Sequence, residues 1–288
     1  MTQRIELNNG AARCLLLPDL GGSLGGWWIA GRAMLRAADQ AAIASGDPTR
    51  LSGFPLVPYS SRIADARFDW NGESVKLQAN RADEPHALHG MGWQRPWQVT
   101  GQTETSAVLQ LDHAADAFWP WSLRAEQRIT LGDNRLTIDL NAFNLADQPV
   151  PLAIGHHPYF PRDNARVTLA AETVWLADAR NLPAFGAVPS AQLDLSGGPQ
   201  IAGLDIDNCY GGVNWPVRVN WPDRALAIDC SENLPCAVVY ANSTADALCI
   251  EPVAHISNAL NRGDAVPAMP IIAPGARFSA RIVLSILP

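Results

Sequence analysis

Apolar and polar residues alternate with a period of two along much of this 288-residue chain. The pattern is clean over residues 135–142 and 217–221, and it holds over residues 278–286 with one slip at Val283. Successive side chains of a β-strand point to opposite faces, so this alternation places one face in a core and the other in water. The sequence therefore predicts antiparallel sheets that are covered on one side only.

Turn signals separate the alternating runs. The 22 prolines and 22 glycines are scattered rather than clustered, and no low-complexity linker divides the chain. Asn71-Gly72 lies between two strand-like runs and predicts a β-hairpin. The one helical candidate is the alanine-rich stretch from Ala33 to Ser45. We therefore expect an all-β fold, a large antiparallel β-sandwich that forms a single domain over residues 1–288.

Composition and charge narrow the classes of partner. Charged residues make up 17% of the chain, against about 25% in typical globular proteins, and the net charge is −7. No run of Lys or Arg suggests nucleic-acid binding, and no stretch reaches the roughly 18 apolar residues that cross a membrane. The first residues lack the apolar segment of a signal peptide, and the five cysteines match no metal-binding spacing. These features predict a cytoplasmic protein with reduced thiols and no nucleic-acid or membrane partner, and none of them sets an oligomeric state.

A histidine doublet, His156-His157, is the strongest candidate for chemistry. It lies between an apolar run, residues 151–154, and a Pro-Tyr-Phe segment, residues 158–160, so we expect the pair at the end of a strand. Histidine titrates near neutral pH and can therefore act as a general acid. The proline favours an extended backbone at His157. These local signals do not choose between the two imidazoles, and both could equally be structural.

Two other segments carry groups that suit the same site. His89 lies in a glycine-containing stretch, residues 84–93, that predicts a tight loop. Glu251 follows the apolar run 247–250, and a carboxylate at the end of an apolar strand is costly to bury unless it is paired or functional. Partial burial would raise its pKa toward the range of a general base, and the alternative is a structural ion pair with Arg62 or Arg262. Two histidines and one carboxylate on separate segments predict acid–base chemistry on a small neutral molecule.

Other kinds of site have less support. His86, His89, His156 and Glu251 could formally supply zinc ligands, but their spacing is not that of a metal motif, so we expect no metal. The sequence contains no GxSxG elbow, P-loop or dinucleotide-binding glycine motif. Some of the ten tryptophans could stack on the apolar face of a sugar ring. The guanidinium of Arg62 could bind sugar hydroxyls or a carboxylate.

Five segments together resemble the aldose 1-epimerase, or galactose mutarotase, family. They occur in the family's order, and the resemblance extends nearly from end to end. Two are similar to its Asn-Arg-Ile-Ala-x-x-x-Phe and Leu-His-Gly segments, two to its His-Ser/Pro-Tyr-Phe and Asp-His-x-Phe segments, and one to the segment that carries its glutamate base. The matching segments here are SRIADARF at 61–68, ALHG at 87–90, HPYF at 157–160, DNCY at 207–210 and CIEP at 249–252.

The resemblance implies both a site and a reaction. The fold would be a galactose mutarotase-like β-sandwich with the site in a cleft on one sheet. His157, the second member of the doublet, would be the general acid and Glu251 the general base, while His89 would polarise the ring oxygen or bind the substrate. Arg62 and Asp207 would hold sugar hydroxyls. Such an enzyme would interconvert the α and β anomers of a free aldose, and it would need no metal or other cofactor.

Differences from the family's sequence motifs affect the predicted sugar preference more than the predicted reaction. Ser61 stands where many members have Asn, and residues 257–261 replace a common Pro-Asp-Ala-x-Asn. Two alternatives therefore stay open. One is a non-catalytic carbohydrate-binding or sugar-sensing protein. The other is a hexose-6-phosphate 1-epimerase of the same superfamily, which would need a basic phosphate pocket with candidates in Arg62, Arg67 and Arg95.

Overall fold

Nearly all of the regular structure is β-strand. The computed structural model describes residues 2–242, 247–264 and 267–288. The strands of the amino-terminal half are β1 (Ile5–Asn9), β2 (Ala12–Leu17), β3 (Ser23–Ile29), β4 (Arg32–Ala33), β5 (Gly53–Leu56), β6 (Arg62–Ile63), β7 (Arg67–Trp70), β8 (Glu73–Lys76), β9 (Ala87–Leu88), β10 (Gln98–Gln102), β11 (Ser106–His113), β12 (Leu123–Leu131) and β13 (Arg135–Asn144). The remaining strands are β14 (Val150–Pro151), β15 (Gly155–Pro161), β16 (Arg166–Ala177), β17 (Pro183–Ala187), β18 (Asp207–Trp221), β19 (Arg224–Cys230), β20 (Cys236–Tyr240), β21 (Ala247–Val253), β22 (Ile271–Ile272) and β23 (Arg277–Leu287). The helices of the described segments are one α-helix, α1 (Gln40–Ser45), and short 3₁₀ turns at Pro48–Arg50, Ala64–Ala66, Gly92–Gln94, Ala191–Leu193 and Ala259–Asn261.

Seventeen of the strands form one large antiparallel sheet. One half runs in the order β10, β11, β12, β13, β23, β19. The other half runs β1, β2, β3, β5, β15, β21, β20. The long strand β18 joins them, because one end of it pairs with β19 and the other end with β20. The expected all-β antiparallel sandwich is confirmed, and its two halves are continuous through β18.

The predicted alternation corresponds to the observed burial. On β13 the side chains of Leu136, Ile138, Leu140 and Ala142 are at most 1% exposed, and the residues between them are partly exposed. β12 and β23 flank β13 on either side, so the buried positions of three strands combine into one apolar surface. Burying one Leu or Ile side chain contributes roughly 1.5–3 kcal/mol, which is why this face sets the register.

The predicted hairpin at Asn71-Gly72 is confirmed. Trp70 pairs with Glu73 across the two-residue turn that joins β7 and β8. Asn71 and Gly72 have φ angles of 52° and 84°, as the favoured two-residue hairpin turn requires.

The predicted helix from Ala33 to Ser45 is wrong over its first half. Ala33 ends β4, and the stretch that follows is held by backbone hydrogen bonds to β3 and β15 rather than by helical ones. Asp39 has an extended backbone, and its carboxylate accepts a hydrogen bond from the backbone N–H of Ala42. This N-cap starts α1 at Gln40, because a cap residue is by its geometry outside the helix.

The histidine doublet and Glu251, expected at strand ends, lie within strands. His156 and His157 are the second and third residues of β15, and most of the apolar run 151–154 before them is not strand. Glu251 is in the middle of β21, opposite Val238 of β20. Tyr159 pairs with Cys249, and continuing that register by two residues places His157 opposite Glu251.

Two further features of the structure are its lack of membrane-spanning helices in the described ranges and the state of its cysteines. No helix in the described ranges is both long enough and apolar enough to span a membrane. None of the five cysteines, all of which lie in described segments, forms a disulfide. Four of them are buried and Cys230 is partly buried.

Candidate active site

One face of the sheet carries a cavity of about 330 Å³, a volume within the usual range for small-molecule sites. Its floor is formed by five neighbouring strands, β5, β15, β21, β20 and β18. Because side chains alternate along a strand, the strand registers place one set of residues on the same face. That set is Phe54, His157, Tyr159, Glu251, Val238, Tyr240 and Asp207, and all seven line the cavity.

The wall of the cavity comes from the loops around β6 and β9. The backbone N–H of Ser61 donates to Nδ1 of His89 at 3.0 Å, and the backbone N–H of His89 donates to the carbonyl of Ser61 at 2.8 Å. Both residues have positive φ angles, 57° and 59°, which only a few per cent of non-glycine residues adopt. Asn tolerates this region better than Ser, so the backbone at position 61 would also suit the Asn of the family segment that residues 61–68 resemble.

Gly90 lets the two loops approach closely. Its φ angle is 68°, and a Cβ atom there would lie 2.1 Å from the carbonyl oxygen of Val57. Any larger residue would push the loop that carries His89 away from the cavity. The glycine noted next to His89 in the sequence therefore has a structural cause.

The His157 imidazole and the Glu251 carboxyl are in direct contact, with Nε2 and Oε1 3.2 Å apart. Both are almost fully buried. Burial raises the pKa of Glu251 well above its usual value, and the charges of Asp207 and Cys209 act in the same direction. Burial also lowers the pKa of His157 well below its usual value, with further contributions from His89 and His156. Both shifts favour an uncharged pair that shares one proton between the carboxyl and the imidazole.

His89 presents a hydrogen-bond donor to the same space. Its Nδ1 accepts from Ser61, so in the neutral ring the proton is on Nε2. Burial, helped by the charges of Arg62 and Arg81, lowers the pKa of His89 to about 3. The ring is therefore neutral at physiological pH. Its centroid lies 5.3 Å from that of His157, with the two rings almost perpendicular.

Arg62 lines the cavity and is oriented by a carboxylate. Its Nε donates to Oε2 of Glu84 at 3.0 Å, and both side chains are less than one-fifth exposed. Neither Arg62 nor Arg262 pairs with Glu251, so the ion-pair alternative for Glu251 is wrong: Arg262 pairs with Asp264 instead. Since Nε of Arg62 is engaged by Glu84, its terminal nitrogens remain to face the cavity.

Asp207 and His156 occupy different surroundings. Asp207 begins β18 at the exposed rim of the cavity, next to Tyr240. His156 points to the opposite face of β15 and is fully buried in the core. Neither ring nitrogen of His156 has a hydrogen-bond partner among the described residues, and burial lowers the pKa of this histidine to about 3.

Three of the site residues could also reach one cation. His89, His157 and Glu251 each offer one ligand atom, and these atoms all lie within 4.8 Å of one another. The formal zinc set named from the sequence does not come together in this way. His156 lies in the core, and Nδ1 of His86 accepts from the backbone N–H of Asp65.

The structure adds cavity residues that the sequence reasoning did not assign. Glu84 was expected only as part of a loop, yet it orients Arg62. Phe54 and Tyr159 reach the floor through their registers with β15 and β21. The signal for Tyr159 was its place two residues after His157, which puts both on one face of a strand. Glu84 had no comparable signal, because its contact depends on the path of a loop.

Comparison with known proteins identifies relatives along nearly the whole chain. The family model for aldose 1-epimerase matches residues 3–285. The uncharacterized protein YphB of Escherichia coli K12 is 28% identical and aligns over 96% of this chain and 97% of its own length. The aldose 1-epimerase of the same organism is also 28% identical, but the match covers 49% of this chain and 43% of that protein.

Solved structures show the same fold. A crystal structure of a putative aldose 1-epimerase from Escherichia coli K12 superposes with a TM-score of 0.90, at 26% identity over 100% of this chain and 99% of the other. A GalM/aldose epimerase homologue from C. elegans superposes with a TM-score of 0.83 at 21% identity, over 100% of this chain and 99% of the other. The sequence match extends over nearly the whole chain, and the structural match over all of it. This chain therefore belongs to the aldose 1-epimerase family.

Proposed function

We propose that this protein is an aldose 1-epimerase that interconverts the α and β anomers of a free, unphosphorylated aldose. The observation that carries the proposal is the buried contact between His157 and Glu251, whose reactive atoms are 3.2 Å apart at the floor of the cavity. Ring opening of a sugar needs a base at the anomeric hydroxyl and an acid at the ring oxygen. A pair that holds one proton between a carboxyl and an imidazole can supply both.

The path of the protons follows from the single proton that Glu251 and His157 share. When the sugar binds, the shared proton resides on His157 and leaves Glu251 as the carboxylate. Glu251 takes the proton of the anomeric hydroxyl while His157 gives its proton to the ring oxygen, so the C1–O5 bond breaks and an aldehyde forms. Rotation about C1–C2 presents the other face of the aldehyde, and the same two groups reverse their roles on closure. Acid–base assistance contributes about 10²–10⁴-fold per group.

The remaining cavity residues bind and orient. The neutral His89 donates from Nε2, so it either polarises the ring oxygen or binds a hydroxyl. Arg62, oriented by Glu84, and Asp207 at the rim hold the other hydroxyls.

A phosphorylated substrate has less support from the same cavity. Each arginine that lines it already has partners: Arg62 binds Glu84, and Arg81 binds Asp83 through two nitrogens. Arg36 donates to two backbone carbonyls, those of Thr49 and Leu51. Of the other candidates for a phosphate pocket, Arg95 forms an ion pair with Asp116, and neither it nor Arg67 lines the cavity. A phosphate would therefore meet Arg62 and Arg81 with their charges already balanced by the carboxylates of Glu84 and Asp83.

A binding or sensing protein has less support because of the buried pair. A sugar can be recognised by hydroxyl and arginine contacts alone, and burying a carboxyl and an imidazole side by side costs stability. An acid placed against a base is required by proton transfer but not by recognition.

The test is the rate at which the protein equilibrates freshly dissolved anomers, followed by polarimetry. We expect acceleration above the buffer rate with at least one of D-glucose, D-galactose, D-xylose and L-arabinose, and weaker acceleration with glucose 6-phosphate. Faster turnover of the 6-phosphate would contradict the proposed substrate class. Saturable binding of a sugar without acceleration would show a binding protein.

A further inference from the structure

The imidazole of His157 packs against two aromatic rings on the floor of the cavity. Its ring centroid lies 4.7 Å from that of Tyr159 at an interplanar angle of 23°, and 4.7 Å from that of Phe54 at 31°. The centroids of Tyr159 and Phe54 are themselves 6.1 Å apart, so the three rings form a cluster in which Tyr159 is the more nearly parallel neighbour of the imidazole. Phe54 in turn stacks on Trp93, at 5.3 Å and 25°. The guanidinium carbon of Arg36 lies 4.1 Å from the ring centroid of Tyr159.

This aromatic cluster fills a role that a hydrogen bond to another residue usually has. A histidine that transfers protons is commonly oriented by a hydrogen bond from its second ring nitrogen to a carbonyl or carboxylate. Nδ1 of His157 is buried, and no other described residue is its hydrogen-bond partner; a backbone hydrogen bond within His157 itself acts on the ring. Glu251 contacts the ring at Nε2 but does not prevent its rotation about that contact. The ring orientation therefore depends on its packing against Tyr159 and Phe54.

Arg36 fixes the position of Tyr159. Its Nη2 donates to the carbonyls of Thr49 and Leu51 at 2.6 and 2.5 Å. Its backbone N–H donates to the carbonyl of Tyr159 at 2.8 Å. The guanidinium group is thus tied to the backbone of residues 49–51, and it packs over the ring of Tyr159.

We propose that Tyr159 and Arg36 are positioning residues that hold the His157 imidazole in its orientation for proton transfer, with Arg36 acting through Tyr159. This inference rests on the proposed function, because it assumes that His157 moves a proton. In this inference the aromatic face of Tyr159 orients the imidazole, and its hydroxyl does not.

The first test separates the ring face from the hydroxyl and from substrate binding. Tyr159→Phe keeps the stack and is expected to retain kcat within about threefold, whereas Tyr159→Leu is expected to lower kcat by about 10–100-fold, since small misplacements of a reacting group cost that much. The KM of both variants is expected to stay within about threefold. A rise in KM at constant kcat for Tyr159→Leu would show a substrate contact and overturn the proposal. Equal losses in the Phe and Leu variants would overturn it too.

The second test asks whether Arg36 acts through Tyr159. Arg36→Ala alone is expected to lower kcat by roughly tenfold, but in the Tyr159→Leu background it is expected to add less than about twofold, because both changes remove the same packing against the imidazole. Multiplicative losses would show that Arg36 acts independently and would overturn its assignment. If Tyr159→Leu does not fold, Arg36→Ala still decides, since a loss confined to KM would contradict a positioning role.

A third measurement does not depend on activity. In protein labelled at the histidine rings, NMR signals of His157 are identified by their loss in His157→Asn. We expect Tyr159→Leu to shift or broaden these signals while Tyr159→Phe leaves them nearly unchanged, and unchanged signals in both would overturn the proposal. An inactive wild-type protein with the expected NMR response would contradict the proposed function and leave the packing claim standing.

Discussion

The buried, unpartnered His156 should make the protein sensitive to acid. Its ring is fully buried, and burial lowers its pKa from 6.5 to about 3. The folded state therefore binds fewer protons than the unfolded state once the pH falls below 6.5. Because the unfolded state binds the additional proton, the free energy of unfolding falls progressively as the pH drops from 6.5 toward the pKa of His156 in the folded state.

The size of the effect follows from the two pKa values. A pH of about 5 lies roughly 1.5 units below the pKa of the histidine in the unfolded chain, so that histidine is protonated. In the folded protein His156 is still neutral at this pH. At about 1.4 kcal/mol per unit, His156 then costs about 2 kcal/mol of unfolding free energy relative to neutral pH. His255, with a pKa lowered to about 4, and His89, with a pKa lowered to about 3, add losses of the same sign, while the raised pKa of Glu251 opposes them. The difference between the wild type and a variant without His156 isolates the share of this histidine.

The assay is urea unfolding at about pH 7.5 and pH 5 for the wild type and for His156→Leu. Leucine cannot be protonated, so the variant should lose about 2 kcal/mol less than the wild type between the two pH values. Ile154→Val is a matched control, because it alters a buried neighbour without a titrating group and should lower stability by about 1 kcal/mol at both pH values. An equal pH-dependent loss in His156→Leu and wild type would refute the reasoning and show that His156 is protonated or hydrogen-bonded in the folded protein.

Three further outcomes follow from the site. Glu84→Gln removes the charge that orients Arg62 and should raise KM by about tenfold in steady-state kinetics while kcat changes little; a loss confined to kcat would contradict this. Gly90→Ala places a Cβ atom 2.1 Å from the carbonyl oxygen of Val57 at a φ angle of 68°, and should cost about 2 kcal/mol or more in urea unfolding; an unchanged midpoint would contradict the loop packing. His89→Gln keeps an N–H donor and should retain more activity than His89→Leu, and equal rates would argue against a donor role.

Much of the fold could be predicted because it depends on local patterns. Alternation along β13 and β23 predicted strands with one buried face, and Asn71-Gly72 predicted a hairpin because both residues tolerate positive φ. The prediction of a helix from Ala33 was wrong because it relied on alanine content, whereas the helix begins only after the N-cap residue Asp39. Asp39 is a local N-cap signal for a helix that begins at Gln40. The backbone hydrogen bonds of residues 34–38 to β3 and β15 are tertiary features that no helix propensity contains.

The candidate site was predictable in its residues but not in its geometry. Five motifs in order named His157, Glu251, His89, Arg62 and Asp207, and all five line one cavity. The contact of His157 with Glu251 depends on the register between β15 and β21, which is set by long-range strand pairing. The roles of Glu84, Tyr159 and Arg36 depend on loop paths and stacking, so motif order could not reveal them.

The central claim is that one acid and one base, His157 and Glu251, open and close a sugar ring. Saturation-transfer NMR at the anomeric protons measures the exchange of α and β forms at equilibrium, without any coupled enzyme. The wild type should accelerate exchange, and His157→Asn and Glu251→Gln should each lower the catalysed rate by at least about 100-fold, with the double variant little worse than either. Exchange at the buffer rate with wild-type protein, or near wild-type exchange in either single variant, would contradict the account.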